Sequence, residues 1–295
     1  MDGSAAGTGD GTRTGAGDRA PAAPVALPHT LAGDGPHRVI ALHGWFADRS
    51  AYDAVLPSLD RASFRYALPD LRGYGEAKGL PGAFTTAEAA GDVLALADHL
   101  GWERFSLVGH SMGAAVAQRV LAAAPGRVRR LVGIAPVPAS GVPLEGEQWE
   151  LFAGAAGNPG NRRAIIDFTT GGRRPDAWLD LMVRTSVERS DPKAFRAWLD
   201  SWALEDFHGE VEGAALPVRV LAGALDPALS AERLRATWLR WYPHAELVEL
   251  GGAGHYPADE TPLELVRAVE DFLRADDATG SGDAAGGGAA QAGAL

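Results

Sequence analysis

Short apolar runs alternate with amphipathic stretches along most of the chain. Arg38–Leu42, Arg65–Leu68, Phe105–Val108, Leu131–Ile134, Val218–Leu221 and Ala245–Leu250 read as strands. Several are apolar throughout, as expected of strands covered on both faces. Between them lie helical patterns. Thr85-Thr-Ala-Glu88 has the form of a capping box, followed by Ala90, Val93, Leu94, Ala97 and Leu100 at helical spacing. Helices are also expected over Met112–Ala124, stopped by Pro125, over Ser230–Trp241 after a capping serine, and over Pro262–Leu273 with proline in the first turn. This alternation predicts an α/β fold with a mostly parallel sheet, right-handed crossovers and helices on both faces.

One region breaks the rhythm. From Ala139 to Glu212 no strand is legible, and the pattern is helical, with loops at 157–161 and 171–175. Trp149, Trp178, Trp198 and Trp202 all fall there. A helical insertion between two strands is expected to form a lid over their carboxyl ends, where open α/β sheets bind ligands. The expected organisation is therefore a core in two parts, 25–138 and 213–274, divided by a helical lid at 139–212. The flanking segments 1–24 and 275–295 are expected to be disordered tails. Each holds six glycines and no aromatic residue, so little apolar area offsets an ordering cost of about 1–2 kcal/mol per residue.

Composition narrows the function classes. The formal charge of −11 argues against a nucleic-acid partner, which requires a basic face. With no cysteine, thiolate nucleophiles, disulfides and Cys-ligated metals are excluded. No apolar run is long enough for a membrane span, and Met1–Pro24 lacks the apolar stretch of a secretory signal, so a cytoplasmic protein is expected. The histidines show no metal-ligand spacing, and neither metal nor cofactor is expected.

Candidate chemistry centres on Gly109-His-Ser-Met-Gly113, a G-x-S-x-G motif between a strand and a helix. Glycines two residues either side of Ser111 leave room for a sharp turn that lifts its hydroxyl clear of the sheet. A serine needs a base, and His255, in Gly251-Gly-Ala-Gly-His-Tyr-Pro257, follows the last strand. The base needs an acid, and Asp226 follows Val218–Leu221 at its carboxyl end. The preceding strand runs into Ala135-Pro-Val-Pro138 with no carboxylate, which leaves Asp226 favoured. Oxyanion donors are expected from the N–H groups of Met112, next to the nucleophile, and Trp45, in the loop after Arg38–Leu42. His110 is expected to pack beneath the turn.

With His43-Gly-Trp45, Asp70-Leu-Arg-Gly-Tyr-Gly75, Gly109-His-Ser-Met-Gly-Ala114, Gly223-Ala-Leu-Asp226 and Gly254-His255 in this order, the chain resembles serine hydrolases of the α/β-hydrolase superfamily over nearly all of 25–274. The resemblance implies Ser111 as nucleophile, Asp226 as acid, His255 as base, and Trp45 and Met112 as the oxyanion hole. It implies a structural role for the 70–75 loop. The His-Gly-Trp variant resembles the esterase and cofactor-free perhydrolase branch. A serine in the turn sets the chain apart from dehalogenases and epoxide hydrolases of this fold, which attack with aspartate.

The expected substrate is a neutral, mostly apolar ester or lactone cleaved through an acyl-enzyme. C–C hydrolysis, acyl transfer, peracid formation and non-enzymatic ligand reception use the same residues and stay open. Phe46, Trp149, Trp178, Trp198 and Trp202 are candidate substrate contacts; whether the Trp198/Trp202 face meets sheet or pocket is open. Arg162-Arg163 and Arg173-Arg174 are expected to be solvated loop charges. Oligomeric state is not legible.

Overall fold

The computed structural model describes residues 21–275. Seven strands form one sheet in the order β1-β3-β2-β4-β5-β6-β7. They are β1 His29–Ala32, β2 His37–Leu42, β3 Phe64–Pro69, β4 Phe105–His110, β5 Val128–Ile134, β6 Val218–Gly223 and β7 Ala245–Leu250. All adjacent pairs are parallel except β1 with β3. The α/β architecture read from the sequence is present. β1 escapes sequence reading because it is a four-residue edge strand with only Ala32 buried, so it carries no apolar period.

The central strands are covered on both faces. Along β2, Ile40 and Leu42 enter one core while Val39 and Ala41 enter the other; Leu107 and Val108 of β4 divide likewise. This side-to-side alternation within wholly apolar runs is the two-period of a buried strand. Helices α1 Thr86–His99 and α2 Met112–Ala123 cover the first face. The second is closed by the terminal helix, here α11, Pro262–Arg274, through Leu265, Val269, Phe272 and Leu273. The capping box forms in part: the Thr85 hydroxyl accepts from Glu88 N–H. The Glu88 carboxylate reaches further back, to the amides of Ala22, Ala83 and Phe84.

Between β5 and β6 the chain forms α3 Gly146–Gly154, α4 Pro159–Thr169, α5 Asp176–Arg189, α6 Pro192–Leu204 and α7 His208–Val211. The stretch read as one helix, Ser230–Trp241, is two: α8 Ala231–Ala236 and α9 Trp238–Trp241. The break falls at Thr237, whose hydroxyl donates to Arg233 C=O at 2.9 Å, a back-bond four residues upstream that bends helices. α10 Pro257–Glu260 precedes the terminal helix. Among the described residues no helix is long and apolar enough to cross a membrane.

The segments expected to be disordered lie mostly outside the described residues. At the amino-terminal boundary, Val25 N–H donates to Asp92 at 2.9 Å and Ala23 C=O accepts from Arg72 at 2.7 Å. Residues 22–24 thus dock on the folded body, which begins a few residues before position 25. The signal was invisible because backbone atoms, rather than apolar side chains, make the contact.

Candidate active site

The G-x-S-x-G turn is built as its glycines require. Ser111 sits at φ 51°, ψ −117°, a left-handed conformation that costs a side-chain-bearing residue free energy. A Cβ on Gly109 would lie 2.5 Å from Ala114 Cα, and one on Gly113 2.5 Å from Leu42 O. Both positions are therefore closed to any larger residue, and the backbone of α2 starts directly beneath β2. Ser111 N–H donates to Ile134 C=O at 2.9 Å, which ties the turn to the end of β5.

Ser111, His255 and Asp226 come together at the sheet's carboxyl edge. Asp226 can only accept, so the 2.7 Å contact assigns the proton to His255 Nδ1, donating to Asp226 Oδ2. Nε2 is then the free base, and Ser111 Oγ–H donates to it at 2.9 Å. The other Asp226 oxygen accepts from Ala228 and Leu229 N–H at 2.9 and 3.2 Å, fixing the carboxylate's plane. All three side chains are buried. The loops carrying acid and base touch through glycine: a Cβ on Gly223 would lie 1.9 Å from Gly254 O.

The His43–Ala47 loop approaches the nucleophile from β2. A Cβ on Gly44 would stand 3.3 Å from Ser111 Cβ and 2.9 Å from His110 Nδ1, so glycine alone permits this proximity. Among the described residues neither Trp45 N–H nor Met112 N–H has a backbone acceptor, which leaves both available to an oxygen of a bound molecule. The Trp45 indole is held from the insertion: Nε1 donates to Phe195 C=O at 2.8 Å, and its ring stacks on Phe195 at 4.1 Å. His43, fully buried, donates through Nδ1 to Gly44 C=O and accepts Leu71 N–H on Nε2. That bond joins the loop to the 70–75 segment. There Asp70 accepts the amides of Arg49 and Glu76, in keeping with the structural role that the resemblance implies.

Several supports of the site were not legible. Glu260 has a buried carboxylate that accepts Gly254 N–H and Tyr256 N–H at 2.9 Å each, bracketing His255. Its charge is met by Arg174. Thr169 C=O, from the insertion, accepts His255 N–H at 3.1 Å. His110 Nε2–H donates to His255 C=O at 2.7 Å. Burial, reinforced by the neighbouring His255, pulls the His110 imidazole down to about 3, so it stays neutral. The signal for Glu260 was only an acid six residues after Gly254, too common a pattern to single out.

Beside Ser111 and His255 lies a pocket of about 120 Å³. Its walls come from the 44–47 loop, the 227–229 loop, and insertion residues including Val142, Leu144, Phe152, Ile165 and Trp202. Of the aromatic candidates, Phe46 and Trp202 line it and the others do not. Trp198 is buried beneath, donating through Nε1 to Arg72 C=O at 2.9 Å. Trp178 stands behind Tyr256, edge-on at 5.9 Å, and Trp149, half-buried against the core, lies under the Arg196 guanidinium of α6. The spacing four apart does put Trp198 and Trp202 on one face, but that face spans core and pocket.

The paired arginines are also not simply solvated. Arg162 is buried, donating to Ala155 C=O at 2.9 Å and to the hydroxyls of Ser186 and Ser190 at 2.7 and 3.0 Å. Its guanidinium lies 3.8 Å above the Phe195 ring. Arg163 does face solvent, pairing with Asp176 and Asp180, whereas Arg174 closes on Glu260. Loop-adjacent charge in the sequence does not reveal that a helix packs over it. Among the described residues no group of histidine and carboxylate side chains is arranged to hold a metal ion.

Residues 37–175 match the family model described as the alpha/beta hydrolase fold. A pimeloyl-acyl-carrier-protein methyl ester esterase from Sodalis glossinidius is 35% identical over 281 residues, spanning 84% of this chain and 98% of the relative. The corresponding esterase of Pectobacterium carotovorum is 28% identical over 256 residues, 82% of this chain and 96% of its own. Among solved structures, the enol-lactonase of Burkholderia xenovorans superimposes with a TM-score of 0.74 at 25% identity, covering 84% of this chain and 96% of that one.

Proposed function

The chain belongs to the alpha/beta hydrolase family, and from that membership we propose that it is a serine hydrolase cleaving carboxylic esters or lactones through an acyl-enzyme. The observation that carries the reading is the unbroken hydrogen-bond chain from Ser111 Oγ through His255 to Asp226, opening on an apolar pocket. In the proposed reaction Ser111 Oγ attacks the substrate carbonyl while its proton passes to His255 Nε2. Asp226 stabilises the imidazolium and keeps its ring in register. The N–H groups of Trp45 and Met112 receive the developing oxyanion, a contribution of about 3–4 kcal/mol per donor in comparable sites. The imidazolium then gives its proton to the departing alcohol oxygen, leaving an ester on Ser111. A water molecule, deprotonated by the same nitrogen, attacks that ester; the acid leaves and Ser111 recovers its proton.

The insertion 139–212 acts in this reading as a lid that forms the pocket roof through Phe152, Ile165 and Trp202. The apolar walls favour a substrate with an aliphatic or aromatic acyl or alcohol part. The relatives named as a methyl ester esterase and an enol-lactonase support this class. Turnover of nitrophenyl esters of graded acyl length tests it. Wild-type protein should hydrolyse them, and Ser111→Ala should lose at least about 10⁴-fold in kcat. Equal turnover by both proteins would remove Ser111 from the mechanism.

A further inference from the structure

Within the pocket that holds Ser111 and His255, Arg233 is the one lining side chain with a fixed formal charge. It stands on the first turn of α8, next to the Pro227–Leu229 wall and just after Ser230, whose hydroxyl caps its N–H at 3.4 Å. Helix geometry gives Arg233 four near neighbours on its own face: Leu229, Ser230, Ala236 and Thr237. None is acidic. Among the described residues its guanidinium meets no carboxylate, whereas Arg235, on the same helix, pairs with Glu249 at 2.8 Å. Four cations of the insertion are likewise paired: Arg163 with Asp176, Arg174 with Glu260, Arg189 with Asp48 and Arg196 with Asp200. The pocket is thus apolar with a single free cation in its wall.

We propose that Arg233 is a carboxylate-binding residue and that the preferred substrates are esters or lactones carrying a free carboxylate elsewhere in the molecule. This rests on the esterase reading above and narrows its substrate class. A guanidinium offers two parallel N–H donors that match a carboxylate's two oxygens, and the apolar remainder of the pocket accommodates the chain between carboxylate and scissile bond. Because Arg233 is solvent-exposed, the gain is modest, about three- to fivefold in kcat/KM, and shrinks in high salt.

The test uses the full chain and pairs of nitrophenyl esters. One member is the half-ester of a linear dicarboxylic acid, from succinate to suberate; the other is the uncharged monocarboxylic ester of equal length. The readout is the charged-to-neutral ratio of kcat/KM. At one or more lengths this ratio should fall about three- to fivefold in Arg233→Gln, fall further in Arg233→Glu, and be partly kept in Arg233→Lys. Arg240→Gln, away from the pocket, should leave it at the wild-type value. A ratio identical in wild type and Arg233→Gln at every length, with neutral esters turned over, would overturn the carboxylate site while leaving the esterase reading intact. No turnover of either member by wild type would overturn both.

Discussion

The sheet's carboxyl edge and the helical insertion both build the site, but they do so by different physics. The edge positions groups through backbone: a left-handed Ser111, Gly113 under Leu42 O, Gly223 against Gly254 O, and a carboxylate fixed by two amides. Apart from the carbonyls of Phe195 and Thr169, the insertion positions groups mainly through side chains: Phe195 against Trp45, Arg162 above Phe195, and Trp202 edge-on to Trp45 at 5.4 Å. Backbone constraints tolerate almost no change. Side-chain packing tolerates exchange at the cost of altered shape. Chemistry should therefore be fragile to small changes at the edge, and specificity should be tunable in the insertion.

The largest contrast is expected from glycine substitutions. Gly223→Ala puts a Cβ into a carbonyl 1.9 Å away, between the loops of Asp226 and His255. It should cost about 3 kcal/mol or more of unfolding free energy and most of the activity. Gly157→Ala, in the insertion with nothing within 4 Å of its Cβ, should change stability by less than about 0.5 kcal/mol. Denaturant titration of the two variants checks the pair; comparable losses would erase the distinction between backbone-set and side-chain-set regions.

A second effect separates pocket aromatics from packing aromatics. Trp202→Leu should alter the ratio of kcat/KM for long against short acyl esters by about tenfold, because Trp202 lines the pocket. Trp149→Leu, outside it, should move the ratio less than about twofold.

These two regions also differ in how far they were readable. The glycines beside Ser111, Asp226 and His255 meet close backbone approaches, some local (Gly109 to Ala114) and some distant (Gly113 to Leu42 O, Gly223 to Gly254 O), but each stands within a few residues of the side chain it serves, so the five motifs are visible in the sequence. The aromatic face of α6 is equally visible, but its division into buried Trp198 and pocket-lining Trp202 depends on the crossing of helices far apart in the chain. The same holds for Arg162, whose burial follows from α4, α5 and α6 closing around it, and for Glu260, which works through the backbone of residues flanking His255. β1 was missed for the opposite reason: an exposed edge needs backbone pairing and little apolar pattern. Serine, histidine and aspartate are legible because glycine-rich motifs mark them within a few residues, even where the atoms those glycines admit come from distant segments.

A further effect is electrostatic and accumulates with pH. Burial holds His110 at about 3 and also lowers His43 from its ordinary value. Unfolded, both would titrate near 6.5, so below that pH the unfolded chain binds more protons than the folded one. Their contribution to stability is complete above about pH 6.5 and is lost as pH falls, by up to about 1.4 kcal/mol per pH unit for each. For His110 this loss continues toward pH 3. His110→Gln should flatten the decline of Tm between about pH 6.5 and 5 relative to wild type. An unchanged slope would mean the edge is not sensitised by its buried histidine.

On the proposed mechanism, the hydrogen-bonded chain at the sheet edge makes Ser111 a nucleophile. Rapid acid quenching of the enzyme during turnover of a nitrophenyl ester, followed by peptide mass spectrometry, reads this directly. One acyl group should appear on the peptide carrying Ser111, and should be absent in Ser111→Ala and strongly reduced in His255→Ala. Acyl transfer to another residue, or full turnover without any covalent adduct under conditions where deacylation is limiting, would contradict it.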